Sequence, residues 1–285
     1  MKKLELIREE KLFRLIPGRT KKSRLEASGI ALLDDSTALV VFDSLNQIAR
    51  LDVSLKPSRQ NRLWHAPSLG AGFEDVAADD KLGATFGLVE SVEDFDGVLR
   101  GFVAEYDREG RLKQCSRLPV KFQKANKGFE GLAHVRHQGR EHLYALREAN
   151  YRSSDGRRGR IDVYVRSAKG AWQASRRIEL PDEARFKDYS ALAYRDHQLA
   201  IVSQESARLW VGRLHKRTHT LIPGSGAVYR FPDRNYGNVE GIDWLTDDTL
   251  IAVSDRRKKA QPARCAATDQ SIHIFRIPKK KKRGV

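Results

Sequence analysis

The stretch Phe129-Glu130-Gly131-Leu132-Ala133 decides the fold, because four other segments of the chain repeat its pattern. The other copies are Ala27-Ser28-Gly29-Ile30-Ala31, Phe73-Glu74-Asp75-Val76-Ala77, Tyr189-Ser190-Ala191-Leu192-Ala193 and Val239-Glu240-Gly241-Ile242-Asp243. The five copies begin at residues 27, 73, 129, 189 and 239, so neighbouring copies lie 46 to 60 residues apart. Self-similarity at such a spacing is typical of architectures built from repeated units.

Further short strands follow each copy of the motif. After the third copy, residues 143–146 form a β-prone run, residues 161–165 alternate between apolar and polar positions, and residues 176–180 form a fourth strand. Units of about 40–50 residues with four antiparallel strands are typical of β-propeller blades. The sequence therefore predicts an all-β protein that folds as a single β-propeller of five blades.

The two ends of the chain are predicted to close the ring. The fifth unit shows only three strands, and the stretch at residues 11–16 could supply the missing outer strand, which removes an open sheet edge. Residues 1–278 would form the propeller and residues 279–285 a flexible basic tail. A sixth, degenerate blade is one alternative. Two packed β-sandwiches are another, but they do not explain the near-regular spacing.

Composition narrows the functional classes. The chain has 285 residues, of which 40% are hydrophobic, enough for a sizeable core. No apolar run approaches the roughly 20 residues that a membrane helix needs, and residues 1–10 lack the apolar core of a signal peptide. Two cysteines are too few for a disulfide framework, which favours a reducing compartment. We expect a cytoplasmic monomer.

Propeller geometry predicts where the acidic residues meet. The innermost strand of a blade begins at the face where the second strand ends, so two positions per blade surround the mouth of the central channel. These positions are Ser28, Glu74, Glu130, Ser190 and Glu240 at the strand starts, and Asp43, Glu90, Glu148, Gln204 and Asp255 at the strand ends. Seven of the ten are carboxylates. Crowded carboxylates resist ionisation unless a cation joins them.

The seven acids predict a metal site. Ca²⁺ and Mg²⁺ prefer oxygen ligands, and no histidine falls in either set. The predicted ligands are Asp43, Glu74, Glu90, Glu130, Glu148, Glu240 and Asp255. The alternative is structural: the same acids could pair with neighbouring arginines or accept backbone hydrogen bonds from the next blade.

The basic residues predict an anionic partner. Lys and Arg number 53 against 37 Asp and Glu, a net charge of +16. Lys127, Arg147 and Arg256 follow or precede the acidic positions, so we expect them to hold an anionic group beside the metal. Basic clusters spread over many loops would equally suit a polyanion. Four histidines, His134, His137, His215 and His219, are predicted to lie on the surface.

A resemblance adds to this interpretation. Two stretches carry it: the Glu130-Gly131-Leu132-Ala133 segment followed by residues 143–148, and the Glu240-Gly241 pair followed by Asp255. In these stretches the chain resembles the bacterial phytase-like esterase and SdiA-regulated propeller families. The resemblance implies a propeller, often with calcium, and hydrolysis of phosphate or other esters has been proposed for some members. The channel-mouth ligands that the resemblance implies are Glu74, Glu130, Glu148, Glu240 and Asp255. The chain departs from the pattern where Ser28 and Ser190 replace the glutamate.

Two functions are open on these grounds. The first is a metal-dependent esterase or phosphoesterase that acts on an anionic, phosphate-bearing small molecule at the channel mouth. The second is a non-catalytic propeller scaffold that binds a protein or polyanion through its faces and its basic tail. Fold alone does not choose between them.

Overall fold

The structure is a computed structural model that describes residues 1–68, 72–124, 127–147 and 159–279. The chain begins with β1 (Lys2–Lys3), β2 (Glu5–Lys11) and the helical turn α1 (Leu12–Leu15). Blade 1 contains β3 (Ala27–Asp34), β4 (Thr37–Phe42), β5 (Leu45–Asp52) and β6 (Arg62–His65). Blade 2 contains β7 (Asp75–Asp79), β8 (Ala84–Glu93), β9 (Leu99–Tyr106) and β10 (Leu112–Arg117). Blade 3 contains β11 (Phe129–His137), β12 (Arg140–Arg147), β13 (Arg160–Arg166) and β14 (Trp172–Glu179).

The last two blades complete the ring. Blade 4 contains β15 (Ala191–Arg195), β16 (Gln198–Ser203), β17 (Arg208–Arg213) and β18 (Ala227–Arg230). Blade 5 contains β19 (Val239–Trp244), β20 (Thr249–Ser254) and β21 (Ser271–Arg276), with β2 as its outer strand. Short 3-10 turns lie at Asp182–Ala184 and Ala263–Ala267. The prediction of an all-β propeller with five blades is confirmed.

Ring closure by both ends of the chain is also confirmed. Strand β2 pairs antiparallel with β21, Glu5 opposite Arg276 and Glu10 opposite Ile272, and β1 adds a parallel fifth strand to blade 4. The outer strand lies earlier than residues 11–16, because Leu12 and Leu15 are spaced for a helical turn. Both side chains are buried in the apolar cluster shared by blades 5 and 1.

The repeated glycine marks a close approach between inner strands. A Cβ atom on Gly131 would lie 2.8 Å from the backbone nitrogen of Leu192, in the next blade. A Cβ on Gly241 would lie 2.8 Å from the Cα of Gly29. The glycines of the motif therefore allow the inner strands of blades 1, 3 and 5 to pack closely against the inner strand of the next blade.

The core is divided among the boundaries between blades. Within the described residues, apolar side chains form one cluster between each neighbouring pair of blades. Trp210 and Trp244, each 1% exposed, fill two of these boundaries. Each blade thus buries both of its faces against its neighbours and holds the inner strands at fixed positions. No helix in the described part of the chain is long and apolar enough to cross a membrane.

Candidate functional site: an acidic channel mouth

β-Bulges bring three of the predicted residues to the channel mouth. The pairing of the inner strand with the second strand skips Ser28 in blade 1, Glu130 in blade 3 and Glu240 in blade 5. A bulged residue leaves the hydrogen-bond ladder, and its side chain is turned away from the regular alternation. The strand starts can therefore direct polar side chains to the mouth while the following residues line the channel.

The two serines connect neighbouring blades. The Ser190 hydroxyl donates a hydrogen bond to the carbonyl of Val239 at 3.0 Å, and the Ser28 hydroxyl donates to the carbonyl of Phe73. Val239 directly precedes Glu240, and Phe73 directly precedes Glu74. Each serine therefore fixes the strand start that carries the acid of the next blade, which gives a physical reason for the departures from glutamate in blades 1 and 4.

Glu74 interacts with three other acids, and the four residues come from blades 1, 2 and 5. Burial raises the pKa of Glu74 well above its usual range, and the negative charges of Glu90, Asp43 and Glu240 raise it further. Asp43 is exposed at the rim, and its pKa is raised by desolvation of the carboxyl group and by the nearby Glu26 carboxylate. Proximity between carboxylates favours protonation or the binding of a cation.

Glu240 and Asp255 share one lysine. The Nζ of Lys258 lies 3.2 Å from Oε1 of Glu240 and 3.4 Å from Oδ2 of Asp255. Burial and the Glu240 charge raise the pKa of Asp255 to about 8. Burial raises the pKa of Glu240 too, against the opposing effects of Lys258 and a hydrogen bond from Gln204. The Glu240 charge raises the pKa of Lys258 in turn.

The other three predicted ligands are Glu90, Glu130 and Glu148. Glu90 accepts a hydrogen bond from the backbone N–H of Gly128 at 2.8 Å. Glu130 is half-buried at its bulge. Glu148 lies outside the described residues. Among the side chains that the structure describes, no group of three or more His, Cys, Asp or Glu is arranged to hold a metal ion.

The predicted anion-binding residues divide between two places. The backbone N–H of Arg256 donates to the carboxylate of Asp255. Hydrogen bonds from Ser44 and Arg24 lower the pKa of Glu26, and the positive charge of Arg256 adds to this effect. Lys127 is exposed beside Gly128. Arg147 lies with its guanidinium 4.8 Å from the ring centre of Phe122 and donates to the carbonyl of Lys121. Arg147 thus lines a groove between blades 2 and 3.

Lys258 is not among the predicted site residues, although it lies three residues after Asp255 and belongs to the basic run 256–259. Asp75 and Asp243 in the channel wall are not among them either. Asp75 accepts the N–H of Leu132, in the next blade, at 2.7 Å. Asp243 accepts the N–H of Leu32, also in the next blade, at 2.7 Å, and burial raises its pKa to about 6. Both acids fasten one blade to the next.

Histidines gather at the opposite end of blades 3 and 4. The predicted surface position is wrong for His219, which is fully buried, and for His134, whose side chain is 2% exposed and lies 3.1 Å from Asp79. His219 lies 2.7 Å from the Tyr144 hydroxyl and 3.1 Å from Nδ1 of His197. Burial, together with the neighbouring histidine and arginine charges, lowers its pKa to about 4. These residues come from separate strands and turns of blades 3 and 4, so no local sequence pattern indicates the cluster.

Comparison with known proteins places the chain in a structural class. Glutaminyl cyclase from Myxococcus xanthus matches with a TM-score of 0.59 at 10% identity, over 96% of this chain and 95% of that one. The PQQ-bound aldose sugar dehydrogenase from Streptomyces coelicolor matches with a TM-score of 0.52 at 14% identity, over 96% and 97% of the two chains. The luciferin-regenerating enzyme also gives 0.52 at 14% identity, over 93% and 81%.

These similarities show a β-propeller fold that diverse enzymes share. Neither the protein-family models nor the curated proteins contain a match to the chain. At 10–14% identity the similarity extends to the architecture alone. The resemblance to phytase-like esterases therefore stays a prediction at the level of the family.

Proposed function

We propose that this propeller binds a divalent cation, Ca²⁺ or Mg²⁺, at the channel mouth. One observation carries the proposal: five carboxylates converge there around one lysine that contacts two of them. We call these five residues the mouth acids: Asp43, Glu74, Glu90, Glu240 and Asp255. With all five ionised and Lys258 protonated, the formal charge of these six side chains is −4 (−5 + 1), which favours protonation or the binding of a further cation.

The chemistry of the donors fits a hard cation. Carboxylate oxygens are the ligands that Ca²⁺ and Mg²⁺ take most readily. Burial raises the pKa values of Glu74, Glu240 and Asp255, and neighbouring carboxylates raise them further, so a bound cation would favour their ionised forms. The ammonium of Lys258 lies between Glu240 and Asp255, which supports this place for a cation. A divalent ion would replace the ammonium and would have to draw Glu74 toward these two acids, because no three described acids are already arranged to hold a metal ion.

The finer part of the proposal is an esterase or phosphoesterase activity on an anionic, phosphate-bearing small molecule. A bound divalent cation would supply Lewis acidity toward a phosphoryl or carbonyl oxygen. Lys258, whose side chain is 57% exposed, could turn from the acids toward the anionic group of the substrate. Arg256 adds a second positive charge next to Asp255.

The first experiment is thermal unfolding in EDTA and then with Ca²⁺, Mg²⁺ or Mn²⁺. A ligand that binds only the native state stabilises it by about 2.7 kcal/mol at a hundredfold excess over its dissociation constant. We expect a rise in the midpoint for the wild type and none for a Glu74→Gln, Glu240→Gln double variant. Glu183→Gln, which removes an exposed acid in the 3-10 turn between blades 3 and 4, serves as the control. An equal rise in the double variant would refute the site.

A second experiment separates the enzyme from the scaffold. Hydrolysis of an aryl phosphate monoester is followed with added cation, and EDTA should abolish it. Cation binding without turnover across a panel of phosphate and carboxylate esters would favour the scaffold function. In that case binding to a polyanion should weaken steeply as salt rises, and removal of residues 279–285 should weaken it further.

A further inference from the structure

A second concave surface lies between blades 2 and 3. Its volume is about 500 Å³, within the range of small-molecule sites. The segment that follows β10 forms one wall, and the outer strands of blade 3 form the other. We call it the blade 2–3 groove, and its main lining residues are Val120, Lys121, Arg147, Asp162, Tyr164 and Arg177.

Strand alternation places the charged residues of the groove on one face of blade 3. Asp162 lies opposite Ala145 on β12 and opposite Arg177 on β14, so Arg177 shares its face. Arg147, two residues after Ala145, lies on the same face. Arg176 lies on the other face, where its guanidinium donates to the carbonyls of Thr218 and His219.

Around Asp162 the described residues place three arginines, Arg147, Arg160 and Arg177, beside two carboxylates, Asp162 and Glu179. Nε of Arg177 lies 3.0 Å from Oδ1 of Asp162, and Nε of Arg160 lies 3.6 Å from the same oxygen. Burial and the charge of Arg160 lower the pKa of Arg147. Arg147 and Arg177 line the groove itself, and the side chain of Arg177 is 53% exposed. An anion in the groove could therefore accept hydrogen bonds from these two guanidinium groups.

We propose that the blade 2–3 groove binds an organic phosphate monoester, with the phosphate between Arg147 and Arg177 and the organic part along Val120 and Ala174. Guanidinium groups match phosphate oxygens in pairs, and the monoester is a dianion that balances two such groups. Val120, which is half-buried, and Ala174, which is exposed, give the groove an apolar wall that inorganic phosphate would leave uncovered. The groove shares no residue with the mouth acids, so this inference stands independently of cation binding.

The test is calorimetric titration of the full chain with phenyl phosphate, in EDTA and at low salt. We expect an Arg147→Gln, Arg177→Gln double variant to bind at least tenfold more weakly than the wild type. Arg213→Gln, which removes an exposed arginine of blade 4, should bind as the wild type does. Unfolding midpoints check that each variant is folded. The Glu74→Gln, Glu240→Gln variant should bind phenyl phosphate normally, which separates this site from the mouth.

Three outcomes would overturn the proposal. The first is no binding of phenyl phosphate by the wild type, and the second is unchanged binding by the double arginine variant. The third is equal affinity for inorganic phosphate and phenyl phosphate, which would remove the role of the apolar wall. A single-stranded oligonucleotide that binds more tightly than phenyl phosphate, and is lost in the same variant, would assign the groove to a nucleic-acid backbone instead.

Discussion

The ammonium nitrogen of Lys258 lies 3.2 Å from the Glu240 carboxylate, and that lysine reaches the cluster from the chain segment after β20. It contacts Asp255, 3.4 Å away, at the same time. Among the contacts described for Glu240 and Asp255, the counter-charge thus comes from the side chain of Lys258, which is more than half exposed. Any cation that binds there must compete with it.

Replacement of Lys258 by glutamine should strengthen cation binding. The variant loses the competing ammonium and keeps all five mouth acids, so Ca²⁺ affinity should rise by about tenfold, equivalent to about 1.4 kcal/mol. Calorimetric titration at pH 7.5 measures the change. Lys259→Gln, which removes an exposed neighbouring charge, is the matched control. Weaker binding by the Lys258 variant would mean that the lysine organises the site rather than competes for it.

Stability in the absence of metal should fall as pH rises from 6.5 to 8. The pKa of Asp255 is about 8 in the fold and near 3.8 in its ordinary state, so the fold binds a proton that the unfolded chain has lost. Its stabilising contribution is present below pH 4 and disappears as pH rises to about 8, with a slope of up to about 1.4 kcal/mol per pH unit. Chemical denaturation in EDTA should show this slope, and Asp255→Asn should reduce it. If Asp255→Asn showed the same pH slope as the wild type, the raised pKa would not belong to Asp255.

The histidine cluster should make the fold sensitive to acid. The pKa of His219 is about 4 in the fold against 6.5 in its ordinary state, so its neutral form stabilises the fold above pH 6.5. That contribution is lost as pH falls from 6.5 through 4. His219→Asn removes the titrating imidazole and should therefore reduce the fall in the thermal unfolding midpoint between pH 7 and pH 5. Asparagine is chosen because it tolerates the positive φ of 54° at this position. His65→Gln, at an exposed histidine, should leave the pH profile unchanged.

The two serines of the inner strands should contribute to stability in equal measure. Ser28→Ala and Ser190→Ala each leave a carbonyl of the next blade without its hydroxyl donor, at a cost of about 1–3 kcal/mol for a buried group. Urea denaturation measures the loss, and exposed Ser175→Ala provides the reference. We further expect Ser28→Ala to weaken cation binding, because Phe73 positions Glu74. Unchanged stability in both variants would show that water replaces the hydroxyl.

The repeat made the fold predictable, whereas the site was predictable only in outline. The motif at Glu130-Gly131 recurs because each inner strand meets the same neighbours, so one local pattern reports a global arrangement. The meeting of Asp43, Glu74 and Glu240 follows from propeller geometry. Lys258 lies on an irregular segment whose path no periodicity fixes.

The histidine cluster shows the same limit more sharply. His137 ends strand β11 of blade 3, whereas His197 and His219 lie between strands of blade 4; the three are separated by 60 and 22 residues in the chain (197 − 137 and 219 − 197). Single histidines in polar turns are ordinarily solvent-exposed, and the chain gives no local sign that these turns pack together. The burial of His219 depends on inter-blade packing, which only the tertiary structure reveals.

Ring closure imposes an order on how the chain can complete its fold. The outer strand of blade 5, Glu5–Lys11, leaves the ribosome before blades 1 to 4, and its partner Ser271–Arg276 leaves it after them. During synthesis β2 is therefore an unpaired edge while blades 1 to 4 can assemble behind it. Until the last blade emerges, any other exposed strand edge, including that of a neighbouring nascent chain, competes for β2.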